Sequence, residues 1–292
     1  ETIPRECFIG CRKLESVNIP DSVTTIGNMA FTGCALKEIN ISKNLTEISI
    51  PGYTFSGCPA AITVDAANPN SSADERGVLY NKDKSLLLHC PNFEKAFTFD
   101  INCNIDQYAF YNCANLTDVT FSYAIKKIPY AAFRNCGSLK ITTVPDTVRM
   151  IDQVAFDGCG MTEFYLPDSV EYVGTQAFSS TPLTHFEFND KVDTFKNIFS
   201  ICPKLRTVVV GKGIKKIEIG ALGGTNRIDT IYYRGTKSDW DKINVVDVAS
   251  ALKNIKIVYN YGQTSGVCGD NLTWSLQPDL FQITVEGSGD MY

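Results

Sequence analysis

Eleven cysteines and two histidines are the residues of this 292-residue chain best equipped for chemistry. Thiolates and imidazoles hold zinc, and a thiol beside an imidazole can become a nucleophile. Their spacing argues against both uses. The chain has no Cys-x-x-Cys and no His-Glu-x-x-His, and only two cysteines, Cys7 and Cys11, lie as close as four residues apart. His89 and Cys90 are adjacent, but neighbours along a strand point to opposite faces and are badly placed to pass a proton. Gly223-Gly224 is not followed by Lys-Ser/Thr, so no phosphate-cradling loop is present there. The sequence therefore predicts no catalytic residue, no metal site and no cofactor, and a protein that is not an enzyme.

The cysteines are organised by something else. Phe-x-x-Cys recurs at Phe8, Phe31, Phe55, Phe110, Phe133, Phe156 and Phe199, so seven of the eleven cysteines share one phase. Phe178 and Leu222 keep that phase with Thr181 and Thr225 in the cysteine position. Successive anchors stand 21 to 24 residues apart except for one gap of 55. A period this short and this regular marks a repeat architecture and replaces any division of the chain by length alone.

Each unit then runs in fixed order. Five or six residues after the anchor comes an alternating stretch, as in Leu14-x-x-Val17-x-Ile19, Leu183-x-x-Phe186-x-Phe188 and Leu205-x-x-Val208-x-Val210, which is the pattern of a half-buried strand. Pro20-Asp21-Ser22, Pro145-Asp146-Thr147 and Pro167-Asp168-Ser169 supply turns. A second apolar pair, such as Val23/Ile26 or Val148/Ile151, leads into the next anchor. One such unit has too few large side chains to bury itself, whereas stacked units share a continuous core. Strands of successive coils would pair in parallel, with the Phe anchors forming a second ladder inside. The expected fold is a right-handed solenoid of about nine coils, mostly β, with a parallel sheet on one face and a short C-terminal capping helix. The repeat cysteines read as small buried thiols filling a tight turn, since Thr replaces them twice.

Ala30-Phe31-Thr32-Gly33-Cys34 and Ala155-Phe156-Asp157-Gly158-Cys159, with the strand and turn that follow each, resemble the BspA-type leucine-rich repeat of bacterial surface proteins and some protozoan relatives. Two further blocks are similar to parts of that family. Ile62 to Pro91, with Asn68-Pro69 and Asp83-Lys84 as turn signals, resembles its insert and accounts for the long gap. Ile231-Tyr232-Tyr233 through Trp240 to Tyr259 resembles its terminal cap, with Ser238 as the expected helix N-cap. The expected organisation is a solenoid over 1–260, with an irregular insert at about 60–104 and the cap at about 231–260. Residues 261–292 read as the truncated start of a small β module, and the chain as a fragment whose signal and anchor lie elsewhere.

Composition narrows the function. A net charge of −5, with Lys126-Lys127 and Lys215-Lys216 as isolated pairs, argues against nucleic acid as a partner. No run of 18 apolar residues occurs, so no transmembrane segment is expected. What remains is surface. Residues alternating with the buried strand positions point outward, and those that mix charge with aromatic rings are the candidate partner-binding face: Glu38, Asp118, Glu163, Tyr165, His185, Glu187 and Tyr232. The resemblance implies adhesion, with a host or microbial surface protein, matrix protein or glycan as partner and a cell-surface or secreted location. The alternative is a rigid structural spacer that presents other domains of a longer surface protein.

Overall fold

The computed structural model describes residues 1–92, 95–218, 220–223, 225, 228–246, 252, 255–262, 265–269, 272–277 and 282–287. Each coil has three sides. The anchor turn carries Phe, the alternating stretch forms a rung of an outer sheet, and the second apolar pair forms a rung of a narrower ladder. On the outer sheet Glu38–Ile41 pairs in parallel with Ala61–Val64, and Ala96–Phe99 with Asp118–Phe121. Glu163–Tyr165, His185–Glu187, Thr207–Val210, Thr230–Tyr233 and Lys256–Val258 then form one continuous five-stranded sheet. On the narrow ladder Lys127–Ile128, Met150–Ile151 and Tyr172–Val173 stack in register, so Ile128, Ile151 and Val173 fall in one buried column.

The anchors make the spine of the core. Phe8, Phe31 and Phe55 stack at 5.3 and 6.1 Å, and Phe110, Phe133, Phe156 and Phe178 at 4.8 to 5.5 Å. From Phe31 to Phe178 every one of these rings is fully buried. Tight turns flank them. Two residues before the anchor, Glu6, Met29, Tyr108, Ala131, Val154 and Gln176 have φ between 50° and 60°, and two residues after it Gly10, Gly33, Gly57, Asn112, Asn135, Gly158, Ser180 and Ile201 are also left-handed. The second position explains the recurring Gly and Asn, which enter that region at little cost. Gly174 answers a different need, because a Cβ there would stand 2.2 Å from the Gln153 amide of the preceding coil.

The repeat cysteines join coils rather than merely filling space. Cys34, Cys136, Cys159 and Cys202 donate their S–H to the carbonyl of the preceding coil's anchor, at 3.1, 3.0, 3.0 and 3.2 Å. Cys34, Cys58, Cys113, Cys136, Cys159 and Cys202 are buried and not in disulfides. Thr181 meets the same need differently, donating to its own anchor Phe178 at 2.8 Å while contacting Cys202 Sγ at 3.3 Å. Cys11 departs from the expectation of seven buried ladder thiols. It is exposed, because no earlier anchor carbonyl of this chain lies over it.

The solenoid makes about 11 turns rather than nine. The difference lies between the two sides of the coil. Ala96–Phe99 of the insert and Lys256–Val258 of the cap add rungs to the outer sheet without bringing a Phe anchor. On the anchor side the insert is bypassed: Tyr53 stacks on Tyr108 at 4.7 Å, and Asn112 donates to Ser56 Oγ at 2.8 Å. Inside, Cys90 takes the anchor's backbone place, its N–H donating to Ala109 O at 2.8 Å and its carbonyl accepting from Cys113. The insert itself is a hairpin of Leu79–Asn81 and Leu86–His89 flanked by Ser71–Ala73. Arg76, held by Asp74 of the insert at 2.7 Å, ties it to the next rung through Asp100 at 3.3 Å, with its guanidinium 4.9 Å above the Phe97 ring.

At the C-terminal end the helix Lys237–Trp240 is capped by Thr236, not Ser238. Thr236 Oγ1 accepts from the Asp239 N–H while the Asp239 carboxylate accepts from Thr236 N–H, a reciprocal capping box that leaves Ser238 inside the helix. Trp240 then packs on Tyr233 at 5.2 Å. Beyond the cap, Ser265–Gly269, Leu272–Gln277 and Gln282–Gly287 form an antiparallel three-stranded sheet.

Candidate binding face on the outer sheet

Parallel pairing sets the candidate residues in two columns. Glu163, His185, Thr207 and Thr230 are partners in one, and Tyr165, Glu187, Val209 and Tyr232 in the other. Alternation turns both columns outward while Phe164, Phe186, Val208 and Ile231 are buried beneath. Glu163 and Tyr165 are exposed, and His185, Glu187 and Tyr232 are half-buried. Val209 differs from the expectation for an outward position, being fully buried.

The contacts on this face form a short chain. Tyr165 OH donates to Glu163 Oε2 at 3.2 Å, and its ring lies 5.3 Å from that of His185. His185 Nε2 stands 3.6 Å from Glu187 Oε2, within reach for an ion pair once the imidazole is protonated and too far for a hydrogen bond. Glu187 is bonded by the Arg234 guanidinium, which also lies 3.6 Å from Asp190. Tyr232 packs on Tyr261 at 4.8 Å. Desolvation, helped by the Glu163 and Glu187 carboxylates, pushes the Tyr165 phenol above its ordinary value, so it remains a neutral donor.

Glu163, Tyr165, His185, Glu187 and Tyr232 are thus brought onto one contiguous surface. Glu38 and Asp118 are exposed but stand on other paired strands, opposite Ala61 and Ala96. Arg234, Asp190 and Tyr261 were not among the residues expected here. Arg234 reaches Glu187 over 47 residues and Tyr261 returns from beyond the last rung, contacts that a repeat spacing does not encode. Paired charge beside aromatic rings suits recognition of a surface. Among the described residues no group of three His, Cys, Asp or Glu side chains is arranged to hold a metal ion.

Coils with a parallel outer sheet, a narrow second ladder and an internal anchor column define a leucine-rich-repeat solenoid. The chain belongs to the family described as BspA type leucine-rich repeat region, which matches it in six copies over residues 1–136 and 103–229. The solved structure of the pneumococcal vaccine antigen PcpA is similar to it, with a TM-score of 0.71 at 16% identity over 88% of this chain and 67% of that one. A leucine-rich cell surface protein from Faecalibacterium prausnitzii has a TM-score of 0.50 at 23% identity, covering 83% of this chain. A leucine-rich repeat protein from Eubacterium ventriosum has a TM-score of 0.50 at 24% identity, covering 74%. The chain spans 60% and 54% of the lengths of the last two. Identities this low show a shared fold. No curated protein matches the chain.

Proposed function

We propose that the chain is the repeat region of a non-enzymatic cell-surface protein whose outer sheet binds a macromolecule of a host or neighbouring cell. The observation that carries this reading is the patch where Tyr165, His185, Tyr232 and Tyr261 surround a paired Glu187 and Arg234. Aromatic anchors beside an already neutralised charge can be covered by a partner without stranding an ion. The family supports a surface location, as does the printed description of the Faecalibacterium relative as a cell surface protein. Among the described residues no helix is long and apolar enough to cross a membrane.

The test is attachment of the chain to immobilised matrix proteins and glycans, comparing the wild type with Tyr165→Ala and Glu163→Lys. Both positions are exposed and outside the Arg234 pairing, so the fold is retained. Loss of attachment supports the face. Unchanged attachment by folded variants overturns it and favours the second reading, a rigid spacer. That alternative has its own support, because Glu187, Arg234 and Asp190 already satisfy one another.

A further inference from the structure

The outer sheet loses a rung between Asp118–Phe121 and Glu163–Tyr165, where the chain runs through 139–144 without pairing as a strand. The cause is a local inversion of the repeat. Thr142 lies 23 residues after Val119 and 22 before Phe164, in the column that both of them bury. A hydroxyl without a partner is unfavourable there, so Ile141 is buried in its place while Thr142 and Thr143 are exposed. Lys140 N–H still donates to Thr117 O at 3.2 Å, Tyr165 N–H to Thr142 O at 2.8 Å and Thr143 Oγ1 to Tyr165 O at 2.9 Å.

The lost rung leaves a cleft of about 410 Å³ lined by Val119, Phe121, Thr143, Val144, Pro145 and Asp146. Val119 and Val144 are buried, whereas Phe121 and Pro145 are half-buried and give the cleft apolar surface. Asp146 is exposed and, among the described residues, in no ion pair. The cations of the adjoining coils do not neutralise it: Lys127 is held by Asp152 at 2.7 Å and Arg149 by Glu171 at 2.8 Å, and the exposed Lys126 and Lys140 are not within ion-pair distance.

We infer that this cleft takes a lysine side chain of a partner protein. Its methylene stem lies against Phe121 and Pro145 and its ammonium meets the Asp146 carboxylate. Thr143 Oγ1, which donates to Tyr165 O, keeps a lone pair for the same ammonium. Asp118 and Glu163, exposed on the strands to either side, oppose an anionic ligand. The inference rests on the reading of the outer sheet as a binding face and names the chemistry of the partner, since Thr143 joins the cleft to Tyr165 of the aromatic patch.

The test is fluorescence anisotropy of a labelled pentalysine peptide with the full chain near pH 6.5 at low ionic strength. Asp146→Asn is expected to bind it about fivefold more weakly. Asp168→Asn removes the same charge at the same repeat position one coil on, where Glu163–Tyr165 and His185–Glu187 pair without a break, and is expected to bind as the wild type does. A peptide of 2,4-diaminobutyric acid carries the same charge on a stem two methylenes shorter and is expected to bind roughly threefold or more weakly. Both aspartates are exposed, and a thermal melt by circular dichroism confirms the fold of each variant. The inference is overturned if pentalysine does not bind, if Asp146→Asn binds as tightly as the wild type, if Asp168→Asn loses as much, or if the shorter stem binds equally well. Attachment that depends on Tyr165 but not on Asp146 keeps the face and removes the cleft. Pentalysine binding that depends on Asp146, in a chain whose attachment ignores Tyr165 and Glu163, does the reverse.

Discussion

Arg234 reaches back to Glu187 across the rung that carries Val209, and Val209, although on the outward column, is fully buried. The pair spans three rungs of the outer sheet.

Removing that bridge should show its worth. Arg234→Ala leaves Glu187 half-buried without its cation, for an expected loss of about 1–3 kcal/mol. Arg234→Lys is expected to recover only part, because one ammonium cannot address Glu187 and Asp190 as a planar guanidinium does. Urea unfolding of the three proteins measures both, and equal stability of Arg234→Ala and wild type would contradict the assignment.

Ile201 sits two residues after its anchor at φ 61°, where other coils place Gly, Asn or Ser, and it is 65% exposed. A β-branched side chain is strained in this region and gains nothing from burial. Ile201→Asn is expected to stabilise by about 1 kcal/mol and to raise the melting temperature by about 2–4 °C. A calorimetric scan decides it.

His89 is buried with both ring nitrogens unbonded, its ring 5.7 Å from Phe55. Burial lowers its pKa from 6.5 to about 3. The unfolded chain therefore binds the proton first. The stability associated with neutral His89 is fully present above pH 6.5 and is lost as pH falls from there toward 3. The expected slope is about 1.4 kcal/mol per pH unit for one proton. His89→Phe, which places another ring beside Phe55, should flatten that part of the profile; denaturant unfolding over a pH series that shows the same slope in both proteins would refute it.

Thiol labelling separates ladder from surface. Burial pushes the Cys34 and Cys103 thiols up to about 11 and raises those of Cys58, Cys136 and Cys202. Iodoacetamide near pH 8 is expected to modify the exposed Cys7 and Cys11 in the native protein and to spare these five. In denaturant without reductant the five should then react, and an unlabelled pair seen by mass spectrometry would show a disulfide instead.

The repeat was legible because a coil writes its needs locally. An anchor, a strand and a turn lie within one period of about 23 residues, so Phe31, Leu36 and Ile39 announce their burial in sequence. Contacts between coils were not written that way. The S–H to carbonyl bond from Cys136 to Phe110 crosses 26 residues and could be seen only as a repeated cysteine. The turn count was short because the insert and the cap each add a rung without a Phe anchor, and in the insert Cys90 carries the anchor's hydrogen bonds without its ring. Of the candidate face, alternation placed Tyr165 and Glu187 on one column, while the Arg234 bridge depended on how rungs stack.

The unequal numbers of anchors and rungs bear on how such a molecule carries load. Pulled along its axis, a stack in which each coil bonds only its neighbours peels one layer at a time, and a layer of about 23 residues releases roughly 75 Å of chain. At the insert the Ala61–Val64 and Ala96–Phe99 rungs belong to different sheets and the apolar core is split into two clusters. There the outer-sheet ladder is interrupted, and the Tyr53–Tyr108 stack bridges the two segments on the anchor side. Tension would therefore meet a joint beside that pair of tyrosine rings, where ladder and core part together, whereas the second break in the outer sheet, between Asp118–Phe121 and Glu163–Tyr165, lies over an unbroken core.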